Sequence, residues 1–178
     1  FASEPEGKWM VSDDKEHWLY FEGTDITPVR NQVIQIGKYM YGFDKNGYMI
    51  TGYAKINGKG YYFEESGQKN PEKSTYGSAV KSLWRKVKGT SASYYYYFGD
   101  NYERDLTKIG FQKINGKIYY LTSTGKITVG KKTVKNKRFY FNSDGTLLSG
   151  PKKIDGKIYL YSSTGGLGTK GARITSSG

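Results

Sequence analysis

Gly110–Gly125 reads GFQKINGKIYYLTSTG, Gly130–Gly145 reads GKKTVKNKRFYFNSDG, and Gly150–Gly165 reads GPKKIDGKIYLYSSTG. The three leading glycines stand 20 residues apart, and so do the three closing ones. A fixed period of this size is the signature of an array of small stacked units. Within each copy, Asn115-Gly116 or Asp155-Gly156 supplies the positive φ angles that a two-residue hairpin turn requires. In the second copy Asn136 takes the glycine's place, a mild departure because Asn tolerates the left-handed region. Flanking alternation such as Ile114, then Ile118, Tyr119 and Tyr120, suits half-buried strands. One such hairpin is marginal alone in water, so neighbours must stack, aromatic row on aromatic row. The expected fold is all-β: a β-hairpin solenoid of ~20-residue repeats with two irregular longer units and little helix.

Moving outward, residues 1–8 read as a linker and 9–67 as N-terminal repeats, with an irregular unit at 9–32 and regular units at 33–67. Tyr53–Gly67, with Asn57-Gly58, closely matches the Gly110 unit. Residues 68–109 break the period: a polar insert, with a short helical turn expected around Ala79–Leu83, precedes a Trp/Tyr-rich unit. Three regular repeats fill 110–171, and 172–178 read as a tail.

The composition agrees with a thin aromatic core. Of 178 residues, 18 are Tyr and 24 Gly, and no apolar run approaches the length of a membrane span. Cysteine is absent, which excludes disulfides and thiolate metal sites. Phe1 is not a natural start, so the segment reads as a mature or excised piece, and the lack of cysteine is compatible with secretion. Residues 1–107 carry equal numbers of acidic and basic side chains, so the whole net charge of +12 falls on 108–178. That basic region could face an anionic polymer, or its lysines could simply solvate strands and blunt sheet edges.

These units resemble the cell-wall-binding or glucan-binding repeats of Gram-positive surface proteins. The same repeat type is found in choline-binding modules of wall hydrolases, in the glucan-binding ends of glucansucrases and in clostridial toxin tails. The likeness rests on a leading Gly-aromatic pair, Ile-Asn/Asp-Gly-Lys, an aromatic triplet and a closing Gly. It is good over 33–67 and 110–171 and loose over 9–21 and 84–98. It implies a non-catalytic β-solenoid, needing no cofactor, that binds choline or carbohydrate between adjacent units.

The resemblance also directs attention to the aromatics. The choline-binding repeats place Trp at positions occupied here by Tyr53, Phe111, Lys131 and Pro151, and by Gly60, Ile118, Arg138 and Ile158. The regular units therefore lack the full cage, and Lys131 and Arg138 would repel a cation. Trp9, Trp18 and Tyr20 in one irregular unit, and Trp84, Tyr95 and Tyr97 in the other, are the stronger candidates for ligand binding, with Tyr53 and Phe111 beside them. Strand alternation puts Trp18 with Tyr20, and Tyr95 with Tyr97, on one face. Such rings could stack on sugars, cage a cation, or only fill the core.

Catalysis finds no support. His17 is the single histidine, which rules out metal clusters and His-based triads. Asp13-Asp14 and Glu64-Glu65 are neighbours on extended chain and face opposite ways. Asp44-Lys45-Asn46-Gly47 reads as a turn, since no closing Glu completes a calcium loop. Nucleic acid is disfavoured as a partner because the Trp-bearing units lie in the net-neutral half, apart from the basic region. The leading expectation is a binding module for cell-wall polymer or glycan. The alternatives are a structural or protein-interaction stalk, a choline-type cation binder, and a host-glycan adhesin.

Overall fold

The computed structural model describes residues 6–162 and the backbone of 173–174. It contains seven antiparallel hairpins. In chain order they are β1 (Lys8–Val11) with β2 (Trp18–Phe21), β3 (Gln32–Ile36) with β4 (Tyr39–Phe43), and β5 (Gly52–Ile56) with β6 (Lys59–Phe63). Then follow β7 (Leu83–Lys88) with β8 (Ser93–Phe98), β9 (Gly110–Ile114) with β10 (Lys117–Leu121), and β11 (Gly130–Val134) with β12 (Lys137–Phe141). The last is β13 (Gly150–Ile154) with β14 (Lys157–Tyr161). From the segment read as a tail, β15 (Arg173–Ile174) pairs with β14; Gly165 and the end of the array at 171 lie outside the described residues.

The chain forms two compact units. The first comprises 1–85 and 97–105, the second 86–96 and 106–178, so the boundary runs through the β7–β8 hairpin.

The turns follow the dipeptides. Asn57-Gly58, Asn115-Gly116 and Asp155-Gly156 all have positive φ at both positions, the type I′ arrangement whose twist matches the flanking strands. Lys135 and Asn136 hold the same conformation with φ of 47° and 64°, so Asn136 does substitute for glycine.

Every hairpin after the first ends its second strand with an aromatic triplet or a variant of one, and the triplet's third residue is the core of its repeat; in the first hairpin the corresponding Phe21 is only half-buried. In the first unit these are Phe43, Phe63 and Phe98; in the second, Leu121, Phe141 and Tyr161. None is more than 3% exposed. The chain leaving each hairpin turns back and bridges to this residue, as in Phe43 with Met49, Leu121 with Ile127, and Phe141 with Leu147. The returning strand then fastens two hairpins together. Its amides bond to the second strand of its own hairpin (Ile50 N–H to Gly42 O, Leu148 N–H to Tyr140 O). They also reach the hairpin before it (Met49 N–H to Trp18 O, Leu147 N–H to Ile118 O). This recurring step is what makes successive hairpins a solenoid rather than beads on a string.

The insert after β6 keeps the same step by a longer route. No helical turn forms at 79–83. Residues 71–77 are turns, and the chain returns extended, with Ser78 and Ala79 bridging Tyr41 and Phe63. Ala79 N–H donates to Met40 O, and Val80 N–H to Tyr62 O, so the backbone bonds available to an extended return displace a local helix.

The closing glycines are not interchangeable. Gly145 has φ of 85°, and a Cβ there would lie 2.2 Å from Ile127 Cγ2 and 3.2 Å from Tyr119 Cδ1. Gly145→Ala combines a strained φ with overpacking and should cost about 1–3 kcal/mol. Gly67→Ala, whose added carbon meets nothing within 4 Å, carries only the φ penalty. Urea unfolding midpoints of the two variants should separate accordingly, and equal midpoints would exclude the packing contribution.

Candidate functional site

The first hairpin gathers Trp9, Trp18 and Tyr20 on one side. Trp9 is the cross-strand partner of Tyr20, and their rings meet edge-on at 5.2 Å. Trp18 stands at 6.3 Å and 87° to Trp9. All three pack against the buried Val29, Tyr41, Phe43 and Met49. The Trp18 indole N–H donates to Lys69 O at 3.2 Å, so its polar edge is engaged by the insert.

Trp9 also faces outward into a cavity of about 420 Å3. Two other rings line it: Tyr41, 4.9 Å from Trp9 at 77°, and Tyr39, 6.5 Å from Tyr41 at 90°. Three rings set nearly perpendicular in sequence make a corner. The β3–β4 turn closes one side, and the insert's Pro71–Thr75 closes another, with Tyr41 Oη donating to Pro71 O. Lys38, Glu72, Lys73, Ser74 and Thr75 supply charged and hydroxyl groups around the rim. Lys38 Nζ lies 5.2 Å from the Tyr39 ring centre. Tyr39 and Tyr41 are residues that the sequence reading passed over. Their i, i+2 spacing on one strand face was the available signal.

The second irregular unit divides. Trp84 and Tyr97 meet edge-on at 5.3 Å in the first unit. Tyr95 instead packs on Tyr119 at 5.0 Å in the second. Burial and a hydrogen bond with Tyr95 push the Tyr119 hydroxyl up to about 12. Tyr53 lies over Gly60, where a Cβ would come within 2.8 Å of its Oη; the missing side chain at Gly60 is what admits the ring. Phe111 is 40% exposed and touches Tyr120 at 5.0 Å and Phe139, from the next hairpin, at 4.9 Å.

A further pattern recurs at the middle residue of the triplet. Lys132 Nζ sits 5.3 Å from the Tyr120 ring centre, and Lys152 Nζ 4.9 Å from that of Tyr140. Arg85 lies 5.8 Å from Tyr62 and also forms a 3.0 Å ion pair with Glu64. In each case the cation is the third residue of the next hairpin's first strand. The protein's own cations thus lie over ring faces that would attract a cationic ligand.

Of the remaining polar features, the Lys59–Glu103 ion pair at 2.9 Å is long-range, and the hydrogen bonds that follow are local. His17 is held by Asp14 at 2.9 Å and stacks on Tyr48 at 4.0 Å. Hydrogen bonds from Ser12 and the Glu16 amide lower the Asp14 carboxyl to about 2. Asp44 Oδ1 accepts the amides of Asn46 and Tyr48, a turn as expected. Among the described residues no cluster of His, Asp or Glu could hold a metal ion, and no helix is long and apolar enough to cross a membrane.

Comparison with known proteins agrees with this architecture. The family model of a cell wall binding repeat matches residues 51–69, 109–127 and 132–147, so these three segments are similar to repeats of that type. Glucosyltransferase-S of Streptococcus mutans is 29% identical over 121 residues, covering 67% of this chain and 7% of that protein. Choline binding protein F of Streptococcus pneumoniae, crystallised in the presence of a peptidoglycan analogue, is 27% identical with a TM-score of 0.52; the match covers 89% of this chain and 50% of that one. CbpJ of the same organism has a TM-score of 0.56 at 24% identity, with 92% and 52% covered, and shares the fold. The chain therefore spans about half the length of these structural relatives and a small part of the enzyme.

Proposed function

We propose that this chain is a non-catalytic module of a secreted or cell-surface protein that attaches to a bacterial cell-wall polymer or other envelope glycan. The observation that carries the reading is the aromatic corner of Trp9, Tyr39 and Tyr41. It opens beside mixed charged and hydroxyl groups on a fold built from cell wall binding repeats. A sugar ring has an apolar face and a polar rim, and a Tyr or Trp ring beside hydroxyl, carboxylate and ammonium groups complements both. The relatives support it: one was crystallised with a peptidoglycan analogue, and another is a glucosyltransferase. In their full length those proteins contain more than this chain, so catalysis in a relative gives no reason to assign it here.

A choline-type cation is the second reading for the same corner, favoured by its perpendicular rings and by Glu72 on the rim. Lys38 and Lys73 oppose it electrostatically. All three tryptophans belong to the first unit, so their emission reports on it directly. Titration with dextran oligosaccharides, peptidoglycan fragments and choline chloride should shift Trp emission with a glycan and not with choline. A response to choline alone would exchange the two readings. No response, together with no retention on wall preparations, would leave a spacer or protein-interaction stalk, in which the rings only pack.

A further inference from the structure

Within the second unit, hairpins β11–β12 and β13–β14 enclose a cavity of about 240 Å3. Its apolar wall is Phe139, Ile154, Tyr159 and Tyr161, with Phe139 and Tyr161 buried. Among the described residues its charged lining is cationic: Lys131, Lys132 and Arg138. One of these, Lys131, pairs with an acid outside the lining, Asp155, whose Oδ2 lies 3.6 Å from Lys131 Nζ. Both partners of that pair are largely exposed, so water screens it and it leaves Lys131 free to turn to a ligand.

We propose that this cavity binds an oxyanion, a carboxylate or phosphate carried on a glycan or wall polymer, with the sugar's apolar face against the aromatic wall. The inference rests on the polymer-binding reading above and assigns it a second, chemically different site. Three arguments converge on the anion. The Arg138 guanidinium and Lys131 ammonium beside one small aromatic cavity, with the Lys132 ammonium on the neighbouring Tyr120 ring, repel a cation and match an oxyanion, and Arg can engage it through two parallel N–H bonds. A sugar seated on the aromatic wall would exclude water from beside the exposed Lys131 and Arg138 and so strengthen that attraction relative to open surface. The neighbouring ring faces that could attract a cation are already covered by the chain's own ammonium groups, Lys132 over Tyr120 and Lys152 over Tyr140. The repeat thus keeps its aromatic wall while the sign of the ligand it selects is reversed.

The test is calorimetric titration of the whole chain with hyaluronan, poly(glycerol phosphate), dextran and choline chloride at fixed salt. Hyaluronan carries carboxylates, poly(glycerol phosphate) carries phosphates, and whichever binds tighter identifies the source of the oxyanion. The tighter of the two should lose about tenfold in affinity in Lys131→Gln/Arg138→Gln, as expected for deleting charge-assisted bonds. Lys131→Arg/Arg138→Lys should retain most of it. Lys113→Gln/Lys117→Gln, which removes equal charge from the β9–β10 hairpin, should change it little. The four substituted side chains are exposed, so the fold should persist, as circular dichroism will check. Equal weakening in both Gln variants would overturn the proposal in favour of diffuse basic charge. Choline binding that the Lys131/Arg138 variant strengthens or abolishes would also overturn it. Dextran binding without preference for either anionic polymer would overturn this inference and leave the glycan-binding reading standing. Binding of no polymer would remove both.

Discussion

Phe63→Ala should destabilise the first unit by about 3–5 kcal/mol, the range for deleting a fully buried aromatic side chain. Phe63 is 0% exposed and packs with Ile56, Tyr61 and Ala79. Its ring also crosses the step between hairpins: a Cβ on Gly42 of β4 would fall 2.3 Å from Phe63 Cζ. The strand before is thus bare of side chain where the ring lands, so no side chain at position 42 can refill the space. Beyond the lost transfer energy, the residue bridges to Ala79, which fixes the return of the long insert and, with it, the insert wall of the aromatic corner. In a hairpin array the loss is felt first by nearest neighbours. Urea unfolding followed by Trp emission reads the first unit alone, because Trp9, Trp18 and Trp84 all lie there. Ile26→Ala, at a side chain 93% exposed, should stay within about 0.5 kcal/mol of the parent. If Phe63→Ala also fell inside that margin, the triplet's third residue would not be the core element the burial indicates.

Much of this arrangement was legible because the information is local. An Asn-Gly dipeptide dictates its own φ angles, and the aromatic triplet repeats in phase with it. Asn136 could be read correctly for the same reason: the conformational tolerance of Asn is a property of the residue, not of its surroundings. The insert was opaque. Its short segment around Ala79–Leu83 has no local signal strong enough to specify a state, and the outcome is set by carbonyls some forty residues earlier, such as Met40 O. That same long-range closure brings Pro71–Thr75 across from Tyr39 and Tyr41, which is why this corner escaped a reading based on Trp content. Tyr95 and Tyr97 share a strand face in principle, yet one meets Tyr119 and the other Trp84. Alternation gives the side of a strand but not which neighbour covers it. The cations over Tyr62, Tyr120 and Tyr140 were hidden for a related reason. Their basic residues looked like solvated strand surface, and only the stagger between successive hairpins places them over a ring.

Tyr39→Ala should reduce glycan affinity about thirtyfold, the effect of removing a central aromatic contact worth roughly 2 kcal/mol. Tyr39 is the right probe for three reasons. It is half-buried, whereas Tyr41 is 2% exposed and Trp9 is wedged against Tyr41 and Phe43, so replacing either of those would damage the core as well as the cavity. Its ring stands at 90° to Tyr41 and forms one arm of the corner, so its loss opens the cavity without removing the other wall. Trp9 remains in place to report binding, so a lost response can be separated from a lost reporter. Lys73→Ala, which removes a flexible rim charge, should change affinity by less than about fivefold because exposed charges contribute little. The comparison also separates the two readings of the corner. If Tyr39→Ala weakens a neutral oligosaccharide and Lys73→Ala leaves it unchanged, ring stacking dominates. If Lys73→Ala instead strengthens choline binding by relieving repulsion, the perpendicular rings act as a cation cage. An unchanged unfolding midpoint for Tyr39→Ala is required for either conclusion, and a fall comparable to that of Phe63→Ala would place the ring in the core rather than in a binding site.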